Sequence, residues 1–175
     1  MRRDELEAHL EREHAGAFAW ALRCAGGGRE EAEDALHAAY ERILDGRAEF
    51  EGRSSFRTWL FGVIRLTARA ERRRGWLRVE RLRRWFSRGS AAGSGPGTGF
   101  DAGADLERRE TARRLGDALD RLSERQRRML HLVFYQDLSV QEAADVLGMP
   151  VGTARTHYQR GKARLRALLQ GEDLG

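Results

Sequence analysis

Cysteine is almost absent from this sequence. Cys24 stands alone, so no internal disulfide can form, and the chain suits a reducing compartment. Cys24 itself reads as a small apolar residue rather than a redox group. Long apolar runs are also missing: nowhere do about eighteen apolar residues follow one another, which excludes a bilayer-spanning helix by composition. The opening MRRDELEAHLEREH is charged throughout and has no apolar stretch of the signal-peptide kind. The expectation is a cytoplasmic protein without membrane insertion. Catalytic constellations are lacking too. His9, His14, Cys24 and His37 show no metal-ligand spacing, and Gly26-Gly27-Gly28-Arg29 lacks the Lys-Ser/Thr of a phosphate-binding loop. No nucleophile–base pair is legible, so the expectation is a non-enzyme with no cofactor and no metal.

What is present is arginine. Basic residues number 32 against 27 acidic ones, but they are unevenly spread. Residues 1–52 carry 7 Arg and 13 Asp or Glu; residues 53–88 carry 12 Arg and 2 Glu. In the last block, Arg155, Arg160, Lys162, Arg164 and Arg166 crowd one stretch with no acid among them. Two basic patches separated by a neutral stretch suggest two contacts with a polyanion. An arginine-rich solvated surface is the plainer alternative, since Lys162 is the sole lysine.

Residues 87–104 divide the chain. Ser87-Arg88-Gly89-Ser90-Ala91-Ala92-Gly93-Ser94-Gly95-Pro96-Gly97-Thr98-Gly99 has almost nothing apolar to bury, so ordering it would gain nothing. A glycine-rich linker of that length spans roughly 20 Å on average. The fold expected is all-α: a helical module at 1–86, a flexible linker at 87–104 and a second module at 105–175. Proline is scarce, no segment alternates apolar with polar residues, and 3.6-residue stripes recur. One runs through Ala32, Ala35, Leu36, Ala39 and Ile43. Another runs through Phe56, Trp59, Leu60, Val63, Thr67 and Ala70, with Arg57, Arg65, Arg69 and Arg72 on the far side. A third joins Leu115, Ala118, Leu119 and Leu122.

The most informative stretch begins at Asp137. Ser139 with Glu142 forms a capping box that starts a short helix. Val140, Ala143, Ala144 and Leu147 are its buried side, and Gly148 falls where a helix end needs a left-handed residue. Pro150 marks the next helix start. The preceding helix has its own capping box, Ser123 to Gln126. Short helix, tight turn, longer helix is the pattern of a helix-turn-helix. In the longer helix Ala154, Tyr158, Gly161, Leu165, Leu168 and Leu169 should dock. Arg155, Thr156, Gln159, Arg160 and Lys162 are left outside, combining cations for phosphates with side chains that read base edges. Its first turn, Thr153 to His157, would enter a major groove deepest.

LSERQRRMLHLVFYQDLSVQEAADVLGMPVGTARTHYQRGKARLRALL resembles region 4 of RNA polymerase sigma factors, especially the extracytoplasmic-function class, whose pattern is LSxxEIAxxLGxPVGTVxSRxxRAxxxLR. The match covers roughly Leu119 to Leu169 and is most specific at Pro150-Val151-Gly152-Thr153. The resemblance implies that Thr153, Arg155, Thr156, His157, Gln159, Arg160 and Lys162 face a promoter's −35 element. Phe50-Glu51-Gly52 and Arg53-Ser54-Ser55-Phe56-Arg57-Thr58-Trp59-Leu60 are similar to the FxGxSSFRTWL stretch of sigma region 2. That likeness implies a −10 contact. Phe50, Arg53 and Ser54 would form a loop for a flipped-out base, and Arg57, Arg65, Arg69 and Arg72 a basic face for the opened strand.

Glu33-Asp34-Ala35-Leu36-His37-Ala38-Ala39-Tyr40 aligns with the family's polymerase-docking segment, which assigns Asp34, His37 and Glu41 to docking. His37 and Ala38 stand where Gln and Glu are usual, and Leu66 and Ala70 where Asn and Asp are. Trp76-Leu77-Arg78-Val79-Glu80-Arg81-Leu82-Arg83-Arg84-Trp85-Phe86 is an extra basic, amphipathic segment that either closes the first core or binds a partner. The partners implied are core RNA polymerase and promoter DNA, with an anti-sigma factor as a further class. The rival reading is a polymerase-independent helix-turn-helix regulator, which would dimerise on two half-sites. The region 2 likeness favours a sigma factor.

Overall fold

The computed structural model describes residues 2–26, 28–85 and 106–171, with the backbone alone at 74–85 and 106–112. The linker expected at 87–104 lies outside the described residues, as do Phe86 and the side chains of the basic segment before it. The described residues form helices joined by turns, with no strand among them. The chain divides into two compact units, Met1–Thr98 and Gly99–Gly175.

The first unit is built from α1 (Arg3–Ala25), α2 (Arg29–Leu44) and α3 (Phe56–Trp85). α1 ends at Gly26, whose φ of 94° lets its N–H cap Leu22 and reverses the chain into α2. α2 then returns antiparallel, so that His14 meets Tyr40 and Arg29 lies over the Phe18 ring. Ser55 caps α3, its hydroxyl accepting from the Thr58 N–H at 3.1 Å. α3 runs alongside α1 in the same direction, from His9 against Phe56 to Cys24 against Arg72.

α2 buries Ala32, Ala35, Leu36, Ala39 and Ile43, as its stripe predicts. α3 departs from its stripe. The buried line is Leu60, Phe61, Ile64, Thr67 and Ala68, whereas Phe56, Trp59, Val63 and Ala70 are half-exposed. The cause is Trp20 of α1. It is fully buried, and a buried indole N–H needs an acceptor. It donates to the Phe61 carbonyl at 3.0 Å while the two rings stack 6.1 Å apart, which turns α3 toward Phe61.

The second unit contains α4 (Leu106–Asp120), α5 (Glu124–Leu130), α6 (Val140–Leu147) and α7 (Val151–Gln170). Arg127 of α5 closes the end of α4, donating to the Asp120 carboxylate at 2.9 Å and to the Asp120 carbonyl at 3.0 Å. α5 widens into a π turn at His131–Tyr135, which ends with Gln136 donating to His131 O at 3.1 Å. Asp137 then takes a φ of 53°, a left-handed turn without glycine. Both predicted capping boxes are present, Ser123 with Gln126 and Ser139 with Glu142. Gly148, at φ 60°, ends α6, and Pro150 is the residue before α7 rather than its first. Leu115 and Leu169, both expected to be buried, are exposed, and Ala167 is buried at the end of α7 instead.

One consequence is measurable. Burial, assisted by the Glu13 carboxylate, raises the Tyr40 phenol from 10.0 to about 12. The fold thus favours the neutral phenol. That contribution is whole below a pH of about 10 and disappears as pH climbs through about 12. Urea unfolding should therefore show stability falling across this window, and Tyr40→Phe should flatten the fall. An equally steep fall in the variant would remove Tyr40 as its cause.

Candidate nucleic-acid interface

α7 is seated by its smallest residues. Ala154 is fully buried, and Gly161 sits so close to α5 that a Cβ there would lie 3.2 Å from the Gln126 Cβ and 3.5 Å from Leu130 Cδ1. This close approach fixes which face of α7 points away. Thr153, Arg155, Thr156, Gln159 and Arg160 are exposed together; His157 and Lys162 are half-buried on the flanks. Lys162 lies 5.3 Å from the Tyr158 ring centre, and Tyr158 in turn neighbours Phe134 at 5.9 Å. The Thr156 hydroxyl donates to Gly152 O at 3.0 Å, so its methyl turns outward only within that constraint. Arg155 and Arg160 have no hydrogen bond or ion pair among the described residues and remain available to a ligand. Phe134 and Tyr135 of the π turn are exposed by 60% and 68%, an aromatic pair that the periodicity did not single out.

In the first unit the expected residues separate into two groups. Phe50 is held in a three-ring cluster, 5.5 Å from Phe56 and 5.4 Å from Trp59, so its ring packs the loop onto α3. Arg53 is exposed and pairs with Glu51 at 2.6 Å, and Ser54 donates to the Ser55 carbonyl at 3.2 Å. Arg57 is not on a far side. It reaches back to Glu13 of α1 at 2.6 Å, with only 39% and 20% of the two side chains exposed. Arg72 donates to Cys24 O at 3.4 Å, near the end of α1. Arg65 is half-buried, and Arg69 is exposed. Arg73, one turn past Arg69 and also exposed, was missed by the sequence reading, although its spacing from Arg69 would have found it. The outward face of α3 is therefore Leu66, Arg69 and Arg73, with Leu66 exposed by 61%.

On α2, Asp34, His37 and Glu41 are all exposed, spaced three and four residues apart, and so share one outward face. Leu44 continues that face with 37% exposure.

The chain has counterparts among known proteins. The family model "Sigma-70 region 2" matches residues 10–78, and "Sigma-70, region 4" matches residues 112–165. The ECF RNA polymerase sigma factor EcfG of Rhodopseudomonas palustris is 31% identical over 162 residues, covering 91% of this chain and 82% of that protein. The chain belongs to the ECF sigma factors. The ECF sigma factor SigX of Bacillus subtilis is 30% identical over 150 residues, covering 79% of this chain and 70% of its own. Among solved structures, the sigma factor RpoE in complex with the anti-sigma factor NepR from Bartonella quintana aligns with a TM-score of 0.65 at 21% identity, covering 95% of this chain and 97% of that one. CnrH in complex with the cytosolic domain of CnrY gives 0.62 at 22% identity, with 98% and 92% covered. The two structures share the all-helical fold. As an ECF sigma factor, the chain directs promoter-specific initiation by RNA polymerase. No helix among the described residues is long and apolar enough to cross a membrane.

The Glu13–Arg57 pair decides how much of the sigma factor's α3 charge is free. A double-mutant cycle with Glu13→Gln and Arg57→Gln should give a coupling of about 1 kcal/mol, since the pair is only partly screened by solvent. Additive losses in urea unfolding would show the contact to be energetically idle.

Proposed function

We propose that residues 105–175 hold the −35 promoter element through α7, and that residues 1–86 dock on core RNA polymerase and engage the −10 element. The observation that carries this reading is the outward face of α7, where Arg155 and Arg160 stand unpaired among Thr153, Thr156 and Gln159. Such a face offers cations for phosphates and fork-shaped or amide groups for base edges. Phosphate contacts from His157 and Lys162 suit their half-buried flanking positions. For the −10 element, Arg69 and Arg73 of α3 are the cations supported by exposure, while Arg65 is half-buried. Arg57 and Arg72 serve first as ties to α1. Asp34, His37 and Glu41 form the docking face on α2. The protein acts without catalysis of its own, needs no cofactor or metal, and works in the cytoplasm. An anti-sigma factor is a partner in keeping with the RpoE–NepR complex.

Run-off transcription with core RNA polymerase tests the whole reading. The chain should convert core enzyme into a promoter-selective one, and binding to DNA only as a free dimer would instead support a polymerase-independent regulator. Arg155→Ala and Arg160→Ala should each weaken promoter use, by about 1–3 kcal/mol wherever a bidentate base contact is lost. A substitution that removes only a phosphate contact should leave sequence preference intact and lower the salt slope by about one. If the double variant keeps full promoter selectivity, α7 does not read the −35 element through this face.

A further inference from the structure

α2 presents a stripe of negative charge with a titrating residue at its centre. Glu30, Asp34, His37, Glu41 and Leu44 follow at steps of four and three, so they share one side of the helix, and all are exposed. The opposite side is the buried line of Ala32, Ala35, Leu36, Ala39 and Ile43. Glu33, on the flank, is answered by Arg29 at 2.8 Å. Glu30, Asp34 and Glu41 have no hydrogen bond or ion pair among the described residues. Unanswered carboxylates attract a partner's cations. Alternating steps of three and four keep such a stripe in contact along a partner helix.

His37 interrupts that charge. Of the side chains on the stripe, only its imidazole changes charge between about pH 5 and pH 8. Asp34 and Glu41 stand at i−3 and i+4 from it, the spacing at which helix side chains interact. The helices packed against α2 bring other charges to its flanks. α1 sets His14 against Tyr40 at 3.3 Å and carries Glu7 and Glu11 beside Leu44. α3 carries Glu71 beside Glu41, Arg42 and Arg47. His37 itself has no hydrogen bond or ion pair among the described residues. Neutral, it leaves the stripe wholly anionic. Protonated, it answers Asp34 and Glu41 from within the chain and repels a partner's cations.

We propose that His37 makes docking on core RNA polymerase depend on pH: the neutral imidazole docks, and the imidazolium is rejected by a cationic surface of the polymerase. The inference rests on reading α2 as the docking face. Carboxylates favour the imidazolium in the free chain, whereas the partner's cations and burial under it favour the neutral ring. Docking therefore expels a proton. Affinity is whole above the free imidazole's range and falls as pH drops through it. Gln, usual at this position in sigma factors, has no such response.

The test measures binding of the full chain to core RNA polymerase from about pH 5.5 to about pH 8.5. The dissociation constant should be level on the alkaline side and rise below about pH 6.5, by up to about tenfold per pH unit for one proton. His37→Gln, whatever its affinity, should lose that rise. The polymerase's own titrating groups act alike on both chains, so the difference between the profiles belongs to His37. His37→Arg should bind weakly even at about pH 8, as the permanently charged form. Because His37 is exposed, both variants should keep the parent's thermal midpoint. Parallel profiles for the parent and His37→Gln, or parental affinity in His37→Arg, overturn the proposal while leaving docking through α2 intact. A chain that binds core enzyme equally well with both Asp34→Lys and Glu41→Lys fails the docking reading itself and takes this inference with it.

Discussion

The indole of Trp20 sets the rotation of α3, and the first unit's working surface follows from it. A side chain this large, wholly removed from water, must both pack and find an acceptor for its N–H. The Phe61 carbonyl supplies the acceptor and the Phe61 ring the packing. With Phe61 turned inward, Leu60, Ile64 and Ala68 follow at helical spacing, and Leu66, Arg69 and Arg73 are left opposite them. The same rotation brings Arg57 over α1, where Glu13 receives it. Among the described side chains, this rotation leaves Arg69 and Arg73 outward and brings Arg57 and Arg72 against α1.

The second unit achieves the equivalent result through small residues. Gly161 and Ala154 have no side chain to hold α7 away from α5 and α6, so the helix settles with that line inward. Tyr158 then leans against Phe134, and Arg155, Gln159 and Arg160 face out. The end of α6 and the start of α7 are defined by local chemistry: a left-handed glycine, then a proline with φ near −58°. The N-cap residues contribute about 0.5–2 kcal/mol each to helices too short to persist alone. α6, at 8 residues, depends on its capping box and its packing together.

This difference explains what could be read from the sequence. Capping boxes, the turn glycine and the stripe of α2 depend on neighbours within a few positions, and they stand where the spacing put them. Where a distant residue decides, the spacing misled. Phe56 and Trp59 dominate any apolar count on α3, but they lie at its first turns, where Phe50 from the loop shares them and Trp20 governs the rest. Leu115 and Leu169, both placed inward by their stripes, are exposed, and helical spacing alone does not reveal where a helix loses its cover. The π turn at His131–Tyr135 breaks the 3.6 period outright, and this is why the exposed Phe134 and Tyr135 went unseen. Asp137 is the local trace of that break, a left-handed residue that any helix pattern would overlook.

Arginine composition shows the same limit from the electrostatic side. The block at 53–88 holds 12 arginines, and a charge count treats them as one surface. Arg53, Arg57 and Arg72 are each occupied by a carboxylate or a carbonyl of this chain, as is Arg127 in the second unit. A guanidinium is well suited to both duties, because its planar fork satisfies a helix end or a carboxylate as readily as a phosphate. The charge offered to a strand is therefore what remains after the fold has used its share. Among the described side chains of α3, that remainder is concentrated at Arg69 and Arg73. On α7 it includes Arg155, Arg160, Arg164 and Arg166, all exposed. A net charge treats all of these arginines alike, whereas internal pairing separates those committed to the fold from those left exposed.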